Sequence, residues 1–329
     1  MLKYCIKRIL LSVLILLGVS MILYLLVRCM PTSYIDTLAG SLPPGVDVEA
    51  YKMQLKEYYG LADSSFWGIC KGYWGWLTKF VTGDFGTSWK YLREVEDVIF
   101  ENMGISFGLS LVALVLELII AIPLGIKCAC NQYGKLDYIA TFLTMIGISF
   151  PTFFLGSIVI KFFAVELQWF PAGGMPADPG LGDSRVMWFF DVLKHLFLPL
   201  CILVVLNIGA WMRYTRTNTL EVLNADYIRT ARAKGLSENS VVYKHVFRNT
   251  LIPLVTLLAG TLPSLFGGAM ITETVFNLPG IGNTAYQAML AGDIPFIMGY
   301  NMFIATLTVV GILLTDIMYA VVDPRVKLA

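Results

Sequence analysis

The residue types that carry most enzyme chemistry are sparse in this sequence, and their spacing does not assemble a catalytic or metal site. Most of the six cysteines fall in or beside apolar runs, where free cysteine packs as a small hydrophobic residue. Cys128 and Cys130 are close together but have no histidine or further cysteine nearby, so they do not indicate a metal site. The 329 residues contain no Gly-x-x-x-x-Gly-Lys-Ser/Thr loop. We therefore expect no cofactor in this chain and no nucleotide hydrolysis by it.

One polar stretch, Glu221 to Glu238, has the spacing of two short helices joined by a glycine turn. Asn224 is a good N-cap, Asp226 would lie in the first turn, and Gly235 could end the helix with a positive φ. This predicts a helix of about ten residues, or ~15 Å. Ser237 can cap a second helix that runs to Asn249.

The first of these helices could dock on a partner protein. Its small residues allow close approach, Tyr227 and Ile228 offer an apolar anchor, and Arg229 and Arg232 could pair with acidic groups. The candidate docking residues are Asn224, Ala225, Asp226, Tyr227, Ile228, Arg229, Ala231, Arg232 and Gly235. The alternative is that the basic segment only fixes the membrane topology and binds lipid headgroups. DNA binding by a helix-turn-helix is disfavoured, because both ends lie a few residues from a predicted membrane span.

Apolar composition indicates the elements that must position this stretch. The chain is 57% hydrophobic and 14% charged, against roughly 25% charged in soluble domains, and its mean hydropathy is +0.70. Segments of about 20 apolar residues can span a bilayer as helices. Six segments qualify: Ile9–Val27, Ile105–Ile126, Ile139–Ala164, Leu196–Met212, Leu251–Ile271 and Met302–Val322. The sequence therefore predicts an all-α membrane protein with six transmembrane helices.

Lysine and arginine are distributed unevenly among the connections. They are frequent before the first span, after the second and between the fourth and fifth, whereas Thr272–Asn301 contains none. Connections rich in these residues lie in the cytoplasm, so we expect both termini there. We predict three parts: an N-terminal span (1–29), an extracytoplasmic membrane-associated segment (30–102) and a five-span core (103–329). The core includes the loop 221–252 with the predicted docking helix, which we call the coupling loop because motion of a docked partner would move the adjoining spans.

The extracytoplasmic segment should contain a short helix near Val48–Tyr59 and is rich in aromatic residues. Such rings prefer the headgroup region of a bilayer. The aromatics concerned are Trp67, Tyr73, Trp74, Trp76, Phe80, Phe85 and Trp89. They fit either a membrane-lying anchor or a docking surface or lid.

Ionisable residues inside predicted spans are functional candidates, because a charge there costs about 2.5–3.5 kcal/mol on insertion scales. Glu117 lies near the middle of the second span and could line a pathway and meet a substrate ammonium group. A neutral or paired glutamate at a subunit interface is the alternative. Asn207 could hydrogen-bond across helices. Lys161 is expected to reach the outer surface, and Asp316 to make a structural pair.

Several motifs occur in order at matching topological positions. Glu221–Pro253 resembles the cytoplasmic signature loop of binding-protein-dependent ABC importer permeases, and its Asp226–Ser237 part is similar to the oligopeptide, dipeptide and nickel branch. Within this branch, the chain is most similar to the B-type subunits of oligopeptide permeases. The further matching motifs are Gly83–Ser88, Glu273–Gly282 with Asp293–Pro295, and Asp323–Arg325.

This resemblance implies that the chain is one subunit of a multi-subunit transporter in the cytoplasmic membrane of a prokaryote. The chain would pair with a second, homologous permease. Two cytoplasmic ATPases would hold ATP and Mg and bind the coupling helices. A lipoprotein or periplasmic binding protein would deliver oligopeptides.

Two other functions stay open at this stage. Transport of nickel or another small solute fits the same branch of permeases. A self-contained secondary transporter is a different class, which internal repeats would favour; none is evident in the sequence.

Overall fold

The computed structural model describes residues 2–28, 47–58, 63, 65–180 and 184–322, and most of these residues are helical. In these ranges the only strand-like contact is an isolated bridge between Thr87 and Glu94. The helices are α1 (Leu2–Arg28), α2 (Val48–Tyr58), α3 (Phe66–Val81), α4 (Val95–Cys130), α5 (Lys135–Ser149), α6 (Thr152–Val159), α7 (Arg185–Leu223), α8 (Asp226–Ala233), α9 (Glu238–Ser240), α10 (Phe247–Gly267), α11 (Met270–Val275), α12 (Ile281–Ala291) and α13 (Ile294–Val322). Two π-helical segments, Ile160–Glu166 and Val241–Val246, follow α6 and α9. The predicted all-α class and the short helix after Val48 are confirmed.

Four helices in the described part of the chain are long and apolar enough to cross a membrane: α1, α4, α7 and α13. The pair α5 and α6 adds a fifth crossing if it forms one broken span. The remaining predicted span, Leu251–Ile271, overlaps the 21-residue helix α10, which contains Pro253 and Pro263. The count of six and the orientation stay predictions.

The predicted third span, Ile139–Ala164, is not one continuous helix. The chain bends by 99° between α5 and α6. Phe150 and Pro151 both have extended backbones, with ψ of 133° and 135°. Proline disfavours the α conformation in the residue before it, so Phe150 ends α5 and Pro151 becomes the N-cap of α6. By contrast, Pro123 and Pro199 lie within the unbroken helices α4 and α7.

The contacts of the described residues define two compact units. One is drawn from Met1–Gly104 and Thr284–Leu313, and the other from Ile105–Asn283 and Leu314–Lys327. The predicted three-part division of the chain stays a prediction.

In the second unit, α4, α5 and α7 approach closely through glycines. A Cβ on Gly125 would come within 2.8 Å of the Met212 carbonyl oxygen, and one on Gly147 within 2.8 Å of the Val205 carbonyl oxygen. Small residues permit such close packing of helices in membranes. This packing supports the α7 end from which the polar loop begins.

Candidate functional site

The predicted docking helix exists as α8, but it is shorter than predicted and is capped differently. It has eight residues, Asp226–Ala233. Asn224 is not its N-cap: α7 continues to Leu223, and the Asn224 side chain donates to the Leu220 carbonyl at 3.0 Å. Ala225 has the extended backbone of the N-cap, with no side-chain hydrogen bond. Asn224, the best capping residue of this segment, is thus used at the end of α7 and not at the start of α8.

The glycine turn after α8 agrees with the prediction. Gly235 has φ of +77°, and its amide donates to the Arg232 carbonyl at 2.9 Å. Ser237 caps α9 by accepting from the Ser240 amide at 3.4 Å. From α9 the chain continues through the π-helical segment directly into α10. The turn therefore joins α8 to one long helical run.

The inner face of α8 is buried against the chain itself. Ile228 and Ala231 form a cluster with Val241 and Val246 of the π-helical segment. The prediction that Ile228 and Ala231 face a partner is therefore wrong: both are buried, because the glycine turn folds the next helix back onto this face. Their packing fixes α8 to the beginning of α10.

The outer face of α8 is polar and exposed. Tyr227 is exposed, and Arg229 and Asp226 form an exposed ion pair at 3.7 Å. Arg232 makes two hydrogen bonds to Glu238, at 2.9 and 3.3 Å, across the glycine turn. The acidic partner predicted for Arg232 is thus present within the chain. The exposed face of α8 includes Asp226, with Tyr227 at one edge and Arg229 at the other.

A second tie connects the two helices that flank the loop. The Thr219 hydroxyl of α7 and the Thr250 hydroxyl of α10 are buried and 3.3 Å apart. Thr219 also donates to the Thr215 carbonyl at 2.7 Å. This contact joins α7 to α10 next to the loop.

Glu117 and Asn207, predicted separately as candidate pathway residues, meet in the structure. Glu117 of α4 is buried, and its carboxyl group lies near the side chains of Asn207 and Trp211 on α7. Asn207 also donates to the Leu203 carbonyl at 3.0 Å. This cluster is a polar link between two long helices.

Sequence reasoning missed a buried ion pair beside the loop. Arg216 of α7 donates to both carboxylate oxygens of Asp137 on α5, each at 2.7 Å. The Tyr133 amide donates to the same carboxylate at 3.0 Å. Asp137 is buried. Its place in the first turn of a helix was the only signal in the sequence, and it names no partner.

The motif Glu273–Gly282 folds around its own carboxylate. Glu273 is fully buried and accepts hydrogen bonds from the Ser106 hydroxyl at 2.7 Å and from the amides of Ala269 and Asn283 at 2.9 and 3.0 Å. A side chain at Gly280 would collide with this carboxylate. The glycines of the motif therefore make room for a buried acid.

The motifs Gly83–Ser88 and Asp293–Pro295 meet in the first unit. Asp293 is buried and accepts from the Ser88 hydroxyl and from the Lys90 amide. The Tyr91 hydroxyl donates to the Thr284 carbonyl at 3.0 Å, and burial raises the pKa of Tyr91 to about 12. These motif residues hold the segment before α4 against α12 and the start of α13. The motif Asp323–Arg325 lies outside the described residues.

Comparison with known proteins gives one family and several full-length relatives. Residues 121–328 match the family described as "Binding-protein-dependent transport system inner membrane component". The chain is 38% identical to the oligopeptide transport system permease protein AppB of Bacillus subtilis, over 99% of this chain and 100% of that one. It is 32% identical to the dipeptide transport system permease protein DppB of Alkalihalophilus pseudofirmus over the same shares. The DppB protein of Bacillus subtilis is 33% identical over 100% of this chain and 99% of its own.

Proposed function

Since the chain belongs to the family of binding-protein-dependent transport system inner membrane components, we propose that it is the permease subunit of an ATP-driven importer of oligopeptides. The observation that carries the proposal is 38% identity to an oligopeptide permease over 99% of the chain. The family and the long apolar helices make the chain a multi-pass membrane protein. We place it in the cytoplasmic membrane, with six spans and both termini in the cytoplasm.

The partners follow from this role. A family of membrane components that depends on a binding protein works with ATPases and a substrate-binding protein. We propose a second homologous permease, two ATPases that bind ATP and Mg, and an extracytoplasmic binding protein that delivers the peptide.

The exposed face of α8 is the proposed contact with one ATPase. Tyr227 supplies an aromatic ring, and Arg229 supplies a charge that is only loosely held by Asp226 at 3.7 Å. Exposed ion pairs at this distance contribute at most ~1 kcal/mol, so Arg229 is readily available to an acidic group on another protein.

Coupling passes from α8 into the membrane through packing. Ile228 and Ala231 press on Val241 and Val246, which lead directly into α10, and the Thr219–Thr250 contact joins α10 to α7. Tightly packed interiors transmit displacement rather than absorbing it. When an ATPase moves α8, both helices are expected to move with it, which opens and closes the pathway.

For Glu117 we propose a place beside the pathway. Its contacts with Asn207 and Trp211 give two helices a shared polar surface at mid-membrane. Removal of this link would change how α4 and α7 separate during transport.

The experiment that tests the function is uptake of labelled oligopeptides by cells that lack this chain, with and without its return on a plasmid. Uptake that returns only with the chain supports the proposal, and excess unlabelled peptide, but not nickel, should compete. Nickel uptake that returns in place of peptide uptake would assign the other substrate of this branch.

The contact with an ATPase needs a separate experiment. A photocrosslinker in place of Tyr227 should capture an ATPase subunit, whereas the same group in place of Tyr243, which is also exposed but lies on the π-helical segment, should capture less. Equal capture from both positions would remove the assignment of the α8 outer face.

A further inference from the structure

Helix α3 packs one face onto the first membrane helix. The ring centroids of Tyr73 and Trp76 lie 5.7 and 6.2 Å from that of Tyr24 on α1. Trp76 in turn stacks on Phe80 at 5.8 Å, and Leu77 is buried on the same side. This aromatic face fixes α3 against α1 within a single compact unit.

The contacts of α3 give its depth along α1. The Arg28 guanidinium, at the end of α1, donates to the Asp63 carbonyl just before α3. The Tyr73 hydroxyl lies 2.8 Å from the Ser20 hydroxyl and 3.3 Å from the Leu17 carbonyl. Ser20 precedes Arg28 by eight residues, or about 12 Å of helix. Because half of the hydrocarbon layer is about 15 Å thick, the middle of α3 lies beside the membrane-embedded part of α1.

A second side of α3, roughly 100° around the helix from this aromatic face, is apolar and exposed. Trp67, Trp74 and Val81 follow one another at seven-residue spacing and are 80%, 59% and 76% exposed. Lys71 lies between the two tryptophans on the same side. The neighbouring outer part of α1 is exposed as well, at Ile22 and Leu26. Ile22 and Leu26 belong to a helix long and apolar enough to cross a membrane, so their exposed side chains face lipid.

We propose that α3 lies within one leaflet of the bilayer, with its N-terminal end, beside Arg28, at the boundary of acyl chains and headgroups and with Trp67, Trp74 and Val81 in contact with lipid. Tryptophan rings prefer this boundary, and lysine stems extend along apolar surface while the ammonium group reaches the headgroups. Lipid thus holds the segment that carries Ser88 and Lys90 at a fixed depth. Only the choice of the outer leaflet rests on the proposed function and orientation; the depth does not.

The test uses spin labels in the complete transporter, reconstituted in phosphatidylcholine–phosphatidylglycerol vesicles. Single cysteines replace Trp67 or Trp74 in a variant whose six native cysteines are replaced by alanine or serine. Leu14→Cys, exposed in the middle of α1, is the acyl-chain control, and Glu49→Cys, exposed on α2, is the water control. Collision rates with oxygen and with a water-soluble nickel chelate give the environment of each label.

We expect the oxygen-to-nickel ratio at Trp67→Cys and Trp74→Cys to exceed that at Glu49→Cys several-fold and to stay below that at Leu14→Cys. A ratio equal to that of Glu49→Cys would place α3 in water and overturn the proposal. Exclusion of both reagents would overturn it too, because a protein subunit would then cover this face. Peptide uptake by the same variants is measured separately, so that loss of the lipid contact is distinguished from loss of the proposed function.

Discussion

At Gly235 the backbone conformation, and not the available space, limits substitution. Its φ is +77°, but a Cβ there would meet no atom within 4 Å. A left-handed backbone costs ordinary L-residues roughly 1–2 kcal/mol and costs asparagine less. We expect peptide uptake to fall in the order Gly235→Asn, Gly235→Ala, Gly235→Val, while the amount of chain in the membrane stays constant.

Gly235→Leu distinguishes strain from docking. If the strain of the left-handed backbone is what lowers uptake, the leucine variant should transport about as well as the alanine variant. Uptake far lower with leucine would mean that a partner protein approaches the glycine itself.

Glu273 is expected to be the most sensitive of the motif residues to truncation. Glu273→Ala would leave three donors without their acceptor, and each buried unsatisfied group costs about 1–3 kcal/mol. We predict a clear loss of thermal stability in detergent and less chain in the membrane. Glu273→Gln keeps the shape but turns one acceptor into a donor, so its loss should be intermediate. Equal stability of the alanine variant and the native chain would contradict this account.

Between elements, the Asp137–Arg216 pair fixes α5 to α7 beside the loop. Asp137→Asn would leave the Arg216 guanidinium, whose side chain is only 22% exposed, without its counter-charge. Breaking a buried pair costs about 3–5 kcal/mol, and we expect a loss near 3 kcal/mol, measured as a lower unfolding midpoint. The exposed pair Arg93–Glu101 is the control: Glu101→Gln should cost less than ~1 kcal/mol. Similar losses in both variants would show that burial does not strengthen the first pair.

Sequence patterns predicted several of the helices and turns and missed others. Apolar length predicted α1, α4, α7 and α13, and glycine and serine positions predicted the turn at Gly235 and the cap at Ser237. The 99° bend at Phe150 was missed, because a proline within an apolar run also occurs in the unbroken helices α4 and α7. The burial of Ile228 was missed because a short amphipathic helix does not tell which neighbour covers its apolar face.

At the scale of the whole molecule, contacts between distant residues were the least predictable. Asp293 and Ser88 are 205 positions apart and Glu273 and Ser106 are 167 apart, and no periodicity links such residues. Two of the motifs that signalled the family, Gly83–Ser88 and Glu273–Gly282 with Asp293–Pro295, supply residues to these contacts. Their residue types are therefore explained by packing within each unit, while the exposed part of α8 is left as the proposed contact with other subunits.

The number of crossings depends on whether α5 and α6 together cross the bilayer and on whether α10 crosses it. With six spans, residues before α5 and after α6 lie on opposite sides. A membrane-impermeant thiol reagent should then label Tyr133→Cys and Arg229→Cys only from the cytoplasm, and Glu49→Cys, Asp178→Cys and Leu290→Cys only from outside; all five positions are exposed. If the 99° bend returns the chain to the same side, Asp178→Cys would label with Tyr133→Cys, and Arg229→Cys would label from outside. That result would also place the basic loop outside, against the preference of Lys and Arg for the cytoplasm, and α8 could then meet no cytoplasmic ATPase.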